Sequence, residues 1–218
     1  MDAGILPVKD LARAKNRLAE ALGETGRAEI ARALLDDAFA LCDSVDFLTW
    51  WVVSDDPGVL SEATAHGFNA VADPGAGLND ALQAALAAAI AAGATSATVI
   101  PSDVPLAWAG DLRDLVDTGA TSDVVVVPAR DGGTNGLYLS PADVMEPRFG
   151  AFSFKTHLRE AERLGIRCTV LSLPRLELDI DTIADVDLYL ARPRHAETAS
   201  ARVLSRVRVA AGEEAGSA

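Results

Sequence analysis

Three aspartates near the ends of apolar runs are the residues most able to do chemistry in this chain. Asp103 lies in TVIPSDVPL, and Asp179 and Asp181 lie in LELDIDT. An open α/β sheet presents its ligand-binding groups at the carboxyl ends of its strands. Carboxylates that converge there repel each other unless a divalent cation joins them, and hard oxygen ligands suit Mg²⁺ or Mn²⁺. The pattern therefore predicts a metal-dependent phosphate site.

Each aspartate also has a purely structural interpretation. Aspartate is common at strand ends and at helix N-termini, and Asp181-Thr182 could simply begin the helix that follows. The rest of the chain favours the metal site over this interpretation, because further groups with phosphate chemistry are present.

The most prominent of these groups form a basic cluster in PVKDLARAKNRLA, directly after the first predicted strand. It contains Lys9, Arg13, Lys15 and Arg17, in a chain with 19 Lys and Arg against 32 Asp and Glu. Ammonium and guanidinium groups bind polyphosphates. A solvated helix face is the alternative, most of all for Arg13, which could share such a face with Arg17. Lys9 comes directly off the strand end, which favours a phosphate contact.

Two familiar phosphate-binding motifs are missing from the sequence. No G-x-G-x-x-G follows the first strand, and no G-x-x-x-x-G-K-[ST] occurs anywhere. A dinucleotide-binding fold of the usual kind and a Walker-type NTPase therefore both lose support.

Composition restricts the possible partners. The net charge of −13 disfavours non-specific attraction to nucleic acids or anionic membranes, so we expect small-molecule substrates. Cys42 and Cys168 lie far apart and without neighbouring Cys or His, which argues against a disulfide framework and against a zinc site. No apolar run has the length of a signal-peptide core or a membrane span. We expect a soluble cytoplasmic protein, either a monomer or a homodimer.

The elements that must position these groups alternate along the chain. Short β-branched runs and longer periodic segments predict a three-layer α/β/α fold with a mixed, mainly parallel sheet. The short connection near residues 129–134 favours an antiparallel pair there. We predict one domain over residues 1–191 and a weakly structured C-terminal tail over residues 192–218, where the apolar pattern weakens. The predicted strands are 4–8, 48–54, 68–72, 97–101, 123–128, 136–140 and 167–173, and the predicted helices are 25–41, 57–66, 79–92, 109–118, 153–164 and 182–191.

Six segments of the chain occur in the order seen in one known family, up to about residue 191. They are PVKDLARAKNRL, GLNDAL, SDVPL, DGGTNGL, FGAFSFKTH and DIDT. Each alone is a weak signal, but together they are specific. The chain resembles the guanylyltransferases of coenzyme F(420) biosynthesis, which join GTP to 2-phospho-L-lactate or phosphoenolpyruvate and release pyrophosphate. This resemblance implies the nucleotidyltransferase fold of the glycosyltransferase-A type.

The resemblance also implies roles for residues on the nucleotide side. Lys9, Lys15 and Arg17 match the family's basic loop and would face the triphosphate of the co-substrate GTP. Asn79 matches a position expected to touch the nucleotide, although a plain helix N-cap is the alternative. The metal ligands implied are the same three aspartates, Asp103, Asp179 and Asp181. Together with the three basic residues, Asp103 would be part of the catalytic group.

On the acid side, the resemblance implies that Thr134, Gly150 and Ser153 hold the carboxylate of the phospho-acid. Hydroxyl and amide donors suit this task. The structural alternatives are a turn residue for Thr134 and a helix N-cap for Ser153, and a helix N-terminus is itself an anion site. We place His157 behind these residues, because a lone histidine is more often structural than catalytic.

Other functions stay open at this point. A metal-dependent glycosyltransferase would share the fold and the acidic site, but it gives no reason for the basic cluster. A non-catalytic nucleotide-binding protein would bind GTP without releasing pyrophosphate. A relative that transfers cytidylyl or molybdopterin-type groups would differ in the base it selects. Ser102 and Phe152 depart from the family's usual residues, which leaves the identity of the acid open.

Overall fold

A central sheet of seven strands organises the protein. The computed structural model describes residues 1–12, 14–192 and 198–215, of which 209–215 are described by their backbone alone. The strands are β1 (Asp2–Val8), β2 (Thr49–Ser54), β3 (Asn69–Ala72), β4 (Ser96–Val99), β5 (Val124–Pro128), β6 (Thr134–Leu139) and β7 (Cys168–Val170). The helices are α1 (Asn16–Asp43), α2 (Pro57–Ala65), α3 (Leu78–Ala91), α4 (Ala109–Gly119), α5 (Ser153–Leu164), α6 (Ile183–Leu190) and α7 (Ala199–Ala215). Within these described parts, no helix has the length and apolar character needed to cross a membrane.

The strand order is β3-β2-β1-β4-β6-β5-β7. Strands β1, β2, β3 and β4 pair in parallel, and β5 pairs in parallel with β7. Strand β6 runs antiparallel to both of its neighbours, β4 and β5. The predicted antiparallel pair after the short loop is confirmed, and so is the mixed, mainly parallel sheet.

Helices cover both faces of the sheet, because successive strand residues point to opposite sides. In β1, Leu6 and Val8 belong to a core that also contains residues of α1, α2 and α4. Ala3 and Ile5 of the same strand belong to a second core, built with residues of α3 and α5. The predicted three-layer α/β/α architecture is therefore confirmed.

Helix α1 begins earlier than the sequence pattern predicts. The predicted start was Thr25, whereas the structure has helix from Asn16, interrupted at Gly23 (φ 69°, ψ 170°). Glycine adopts this backbone conformation without a steric penalty, so the chain can bend there. The additional turns at the amino end of α1 place Leu18 in a third core cluster with residues of α6 and α7.

The C-terminal segment differs from the expectation of weak structure after residue 192. Residues Ala199–Ala215 form helix α7, which packs along α1. Leu204 is fully buried and Ala201 nearly so, both in the third cluster. The sequence pattern did not predict this helix, because Arg and Ser interrupt the apolar residues of the segment. Residues 193–197 and 216–218 of the predicted tail lie outside the described residues.

Helix α7 should therefore contribute to stability. We expect Leu204→Ala to lower the free energy of unfolding by about 2–5 kcal/mol, because the change leaves a cavity between α7 and α1. The exposed neighbour Ser205 offers a matched control, and Ser205→Ala should stay within about 0.5 kcal/mol of the wild type. Urea unfolding measures both values. Equal stabilities of the two variants would show that α7 does not dock as described.

Candidate active site

The three predicted aspartates meet at one edge of the sheet. One carboxylate oxygen each from Asp103, Asp179 and Asp181 lies within 4.8 Å of the others, and all three side chains are partly buried. Asp103 follows β4 after a short turn, whereas the other two lie just before α6. The structure thus brings together residues that are far apart in the chain, in an arrangement whose oxygen donors fit a hard divalent cation.

In the segment before α6, buried apolar residues alternate with acidic residues, and this alternation holds the segment in position. Leu176, Leu178 and Ile180 are buried, at 0–1% exposure, whereas the acidic residues that alternate with them, Glu177, Asp179 and Asp181, are only partly buried. The Ile180 backbone N–H donates to Asp103 O over 3.0 Å, which ties this segment to the chain after β4. Burial of the apolar residues therefore fixes which side of the segment presents its carboxylates.

Lys15 lies between two of the aspartates. Its Nζ is 2.5 Å from Asp103 Oδ2 and 2.7 Å from Asp181 Oδ1, and its side chain is only 10% exposed. Burial would lower the pKa of Lys15, but the charges of the two carboxylates and their hydrogen bonds outweigh it, so that pKa is raised. The ammonium group therefore stays charged and offsets part of the repulsion within the acidic cluster.

A buried arginine shapes the loop that carries Lys15. Lys15 itself adopts a left-handed conformation (φ 60°, ψ 34°), which is uncommon for a residue with a Cβ. Arg27 of α1 donates from Nη1 to Leu11 O and to Ala14 O, each over 2.8 Å. Its Nε donates to Glu24 over 2.8 Å. Arg27 thus fixes the carbonyl groups on the approach to Lys15, and its sequence context carries no signal for this role.

Asp179 is held differently from its two neighbours. Burial, with the charge of Asp103, raises the pKa of Asp179 to about 6, although a hydrogen bond from Asn135 opposes the shift. Asn135 Nδ2 donates to Asp179 Oδ1 over 3.0 Å and to Leu176 O over 2.8 Å. The sequence analysis did not single out Asn135. Its place in DGGTNGL, beside Thr134, was the available signal.

A cleft of about 630 Å³ opens between the basic loop and the acidic cluster, a size typical of small-molecule sites. Lys9, Lys15 and Arg17 line it together with Asp103 and Asp181. Burial would raise the pKa of Asp181, but the charges of Lys15, Arg17 and Lys9 outweigh it and lower that pKa. The structure therefore brings the predicted basic residues to the predicted acidic ones. Arg13 lies outside the described residues.

A second polar cluster joins β6 to α5. Thr134, Ser153 and His157 are buried, at 5%, 1% and 0% exposure. The Ser153 hydroxyl donates to Thr134 Oγ1 over 3.0 Å, and His157 Nδ1 lies 3.0 Å from the same oxygen. Gly150 precedes α5 with φ 133°, a conformation that favours glycine, and its carbonyl accepts from the Ser153 N–H over 3.1 Å. The predicted acid-binding residues are thus neighbours.

His157 is neutral in this environment. Its Nε2 accepts a hydrogen bond from the Arg148 backbone N–H over 2.9 Å. Burial lowers the pKa of His157 to about 4, below its ordinary value of 6.5. A protonated ring could not accept this bond, so the geometry and the lowered pKa agree.

Asn79 lies in the first turn of helix α3. Helix α3 has Gly77 as its N-cap, so the interpretation of Asn79 as an N-cap is wrong. Its Nδ2 donates to Phe149 O over 3.1 Å, and its Oδ1 accepts from the Phe149 N–H over 2.7 Å. The side chain thus holds the loop that leads into α5, and a contact with the nucleotide stays a prediction.

Solved structures with the same architecture define the class of fold. A Desulfovibrio desulfuricans G20 protein described as a nucleotide-diphospho-sugar transferase superposes with a TM-score of 0.82, at 16% identity and 97% coverage of both chains. The 4-diphosphocytidyl-2C-methyl-D-erythritol synthase of Anaerococcus prevotii superposes with a TM-score of 0.60, at 10% identity, over 88% of this chain and 96% of its own. The fold is that of the nucleotidyltransferases and nucleotide-diphospho-sugar transferases.

Sequence relatives narrow the class to one family. Residues 2–217 match the family described as "Guanylyl transferase CofC like", and the chain belongs to it. The phosphoenolpyruvate guanylyltransferase of Roseiflexus castenholzii is 38% identical over 192 residues, which cover 88% of this chain and 89% of that protein. The 2-phospho-L-lactate guanylyltransferase of Methanothermobacter thermautotrophicus is 36% identical over 184 residues, with coverages of 84% and 81%.

The neutral state of His157 generates a prediction about stability. The folded-state pKa of about 4 lies below the unfolded value of 6.5, so the unfolded chain takes up this proton first as the pH falls. The stabilisation present above pH 6.5 is therefore lost progressively toward pH 4. Between pH 7 and pH 5 we expect this group to remove about 2 kcal/mol from the free energy of unfolding.

Urea unfolding at pH 7, 6 and 5 checks this value, with His157→Asn as the reference in which every other titrating group is retained. The wild-type free energy should fall more steeply than that of the variant. Parallel curves would contradict the expected shift.

Proposed function

We propose that this protein is a guanylyltransferase that moves GMP from GTP to the phosphate of a three-carbon phospho-acid, phosphoenolpyruvate or 2-phospho-L-lactate, and releases pyrophosphate in the synthesis of coenzyme F(420). One observation carries the proposal most directly. Asp103 and Asp181, which cluster with Asp179, border a nucleotide-sized cleft that is also lined by the basic loop. Membership of the family is the second support.

The acidic cluster would hold Mg²⁺, or Mn²⁺ in its place. All three ligands are carboxylate oxygens, without sulfur or imidazole, which matches the preference of these ions. When bound, a divalent ion of this kind neutralises phosphate oxygens and so reduces the repulsion between two polyanionic substrates. Lys15 already provides one positive charge at this place, between Asp103 and Asp181.

The basic loop would act on the triphosphate. Lys9 and Arg17 are exposed in the cleft, where their charges can meet the β- and γ-phosphates of GTP. These phosphates leave as pyrophosphate with additional negative charge on the bridging oxygen. Cationic groups placed beforehand at this end stabilise that charge as it develops.

The cluster around Thr134 would hold the carboxylate of the phospho-acid. Thr134 and Ser153 are buried hydroxyls beside Gly150, and Asn135 links this cluster to Asp179. The acid would thus be anchored at its carboxylate, with its phosphate toward the aspartates. That orientation directs a phosphate oxygen at the α-phosphorus of GTP, in line with the departing pyrophosphate.

The reaction needs no general base in this proposal. A phosphate monoester has its second pKa near 6, so the attacking oxygen is already ionised at neutral pH. His157 is buried and both of its ring nitrogens are engaged in hydrogen bonds. The residues are therefore required to position and to neutralise charge, and not to remove a proton.

Pyrophosphate release from GTP in the presence of Mg²⁺ tests the proposed function. We expect release only when phosphoenolpyruvate, 2-phospho-L-lactate or 3-phosphoglycerate is also supplied, with one of the acids strongly preferred and with little release from ATP or CTP. Removal of the metal with EDTA should abolish turnover, because the repulsion between the substrates is then uncompensated. No release with any pair of substrates would reject the guanylyltransferase and favour a glycosyltransferase or a non-catalytic protein.

The assignment of the metal ligands generates a second prediction. Asp103→Asn and Asp181→Asn should each lower kcat/KM by about 100-fold or more, because a neutral amide replaces a charge that the site depends on. Mn²⁺ binding, followed by electron paramagnetic resonance, should weaken in parallel, while the far-UV circular dichroism spectrum stays unchanged.

Asp46→Asn is the matched control. Asp46 is exposed and precedes β2, at the opposite edge of the sheet, so this variant should retain wild-type turnover and Mn²⁺ affinity. Near-normal turnover of Asp103→Asn or Asp181→Asn would remove that residue from the assignment.

A further inference from the structure

The Thr134 hydroxyl oxygen accepts both of the side-chain hydrogen bonds that it makes within the protein. The Arg148 backbone N–H can only donate, so His157 Nε2 must accept over their 2.9 Å contact. The neutral ring therefore carries its proton on Nδ1, which donates to Thr134 Oγ1 over 3.0 Å. The Ser153 hydroxyl donates to the same oxygen.

This pattern leaves the Thr134 hydroxyl with a single task. A hydroxyl has two acceptor lone pairs and one proton, and both lone pairs of Thr134 Oγ1 are occupied by His157 and Ser153. Its own proton can then only be donated outward. Among the residues that the structure describes, Thr134 Oγ1 has no side-chain hydrogen bond besides these two.

We propose that His157 is a positioning residue that acts through Thr134: it locks the Thr134 hydroxyl as a donor aimed at the carboxylate of the phospho-acid. The inference rests on the proposed function. Without the His157 donor, the Thr134 hydroxyl could rotate and donate its proton to Ser153 Oγ, 3.0 Å away. In the observed arrangement this rotation is blocked before the substrate binds. The free energy of binding is therefore not reduced by the cost of orienting the hydroxyl.

The location of the cluster supports this role. Asn135, the residue after Thr134, holds Asp179 of the acidic cluster over 3.0 Å. Thr134 and Asn135 are consecutive residues of β6, so one short segment of this strand joins the Thr134 cluster to the acidic cluster. At 0% exposure both ring nitrogens of His157 need protein partners, and these partners are Thr134 Oγ1 and the Arg148 backbone N–H.

A purely structural alternative is specific enough to be tested. His157 could serve only to hold the backbone at Arg148, through Nε2, and so support the loop before α5. The two ring nitrogens separate these roles. Glutamine can place an acceptor near the position of Nε2 but has no donor at that of Nδ1, whereas asparagine can place a donor near Nδ1 but does not reach Nε2.

The experiment compares His157→Gln with His157→Asn in the pyrophosphate-release assay, using whichever of the three acids the wild type turns over. We expect the Gln variant to raise the KM for the acid about tenfold, because a hydrogen bond to a charged group is lost, and to leave the KM for GTP within about twofold. The Asn variant should keep the KM for the acid within about threefold. Thermal melts of both variants identify any general loss of folding.

A double-mutant cycle provides the decisive comparison. Thr134→Val removes the hydroxyl through which His157 is proposed to act, so His157→Gln should have no further effect on the KM for the acid in that background. Independent, multiplicative effects of the two substitutions would overturn the proposal. So would a normal KM in His157→Gln, or a raised KM in His157→Asn alone, which would assign His157 to the Arg148 backbone. Absence of wild-type turnover with every acid would instead reject the proposed function, and this inference with it.

Discussion

Repulsion among three carboxylates is the constraint on which the rest of this site depends. Charged groups within 4.8 Å of each other at a partly buried position oppose one another by about 3 kcal/mol or more per pair. Lys15 offsets part of that energy, while burial, with the charge of Asp103, raises the pKa of Asp179 to about 6. Three carboxylates with one ammonium group therefore attract additional positive charge.

The fold supplies the forces that hold these groups together despite the repulsion. The buried residues Leu176, Leu178 and Ile180 fix the acidic segment, and the Ile180 N–H ties it to Asp103. On the opposite side, the guanidinium of Arg27 fixes the loop before Lys15. The hydrophobic burial and the backbone hydrogen bonds thus stabilise an arrangement of charges that is unfavourable by itself, as is common at functional sites.

The sequence predicted the layers, the antiparallel pair and the proximity of the three aspartates, because strand alternation and helix periodicity are local properties. It did not predict the bridging position of Lys15 or the role of Arg27, since both depend on contacts between distant segments. Asn135 was not predicted as a site residue, because an amide directly before a predicted strand has many ordinary structural functions. Helix α7 was missed because its burial depends on α1, which no periodicity within α7 reveals.

The third core cluster joins the beginning of the chain to its end. It packs Leu18 of α1 and Ile180, next to the acidic residues, against Leu204 of α7. All seven strands and the three aspartates precede α7 in the chain, so a chain that grows from its amino end has these elements before it has the helix that completes this cluster. The packing that supports the acidic cluster is therefore complete only once α7 has docked on α1.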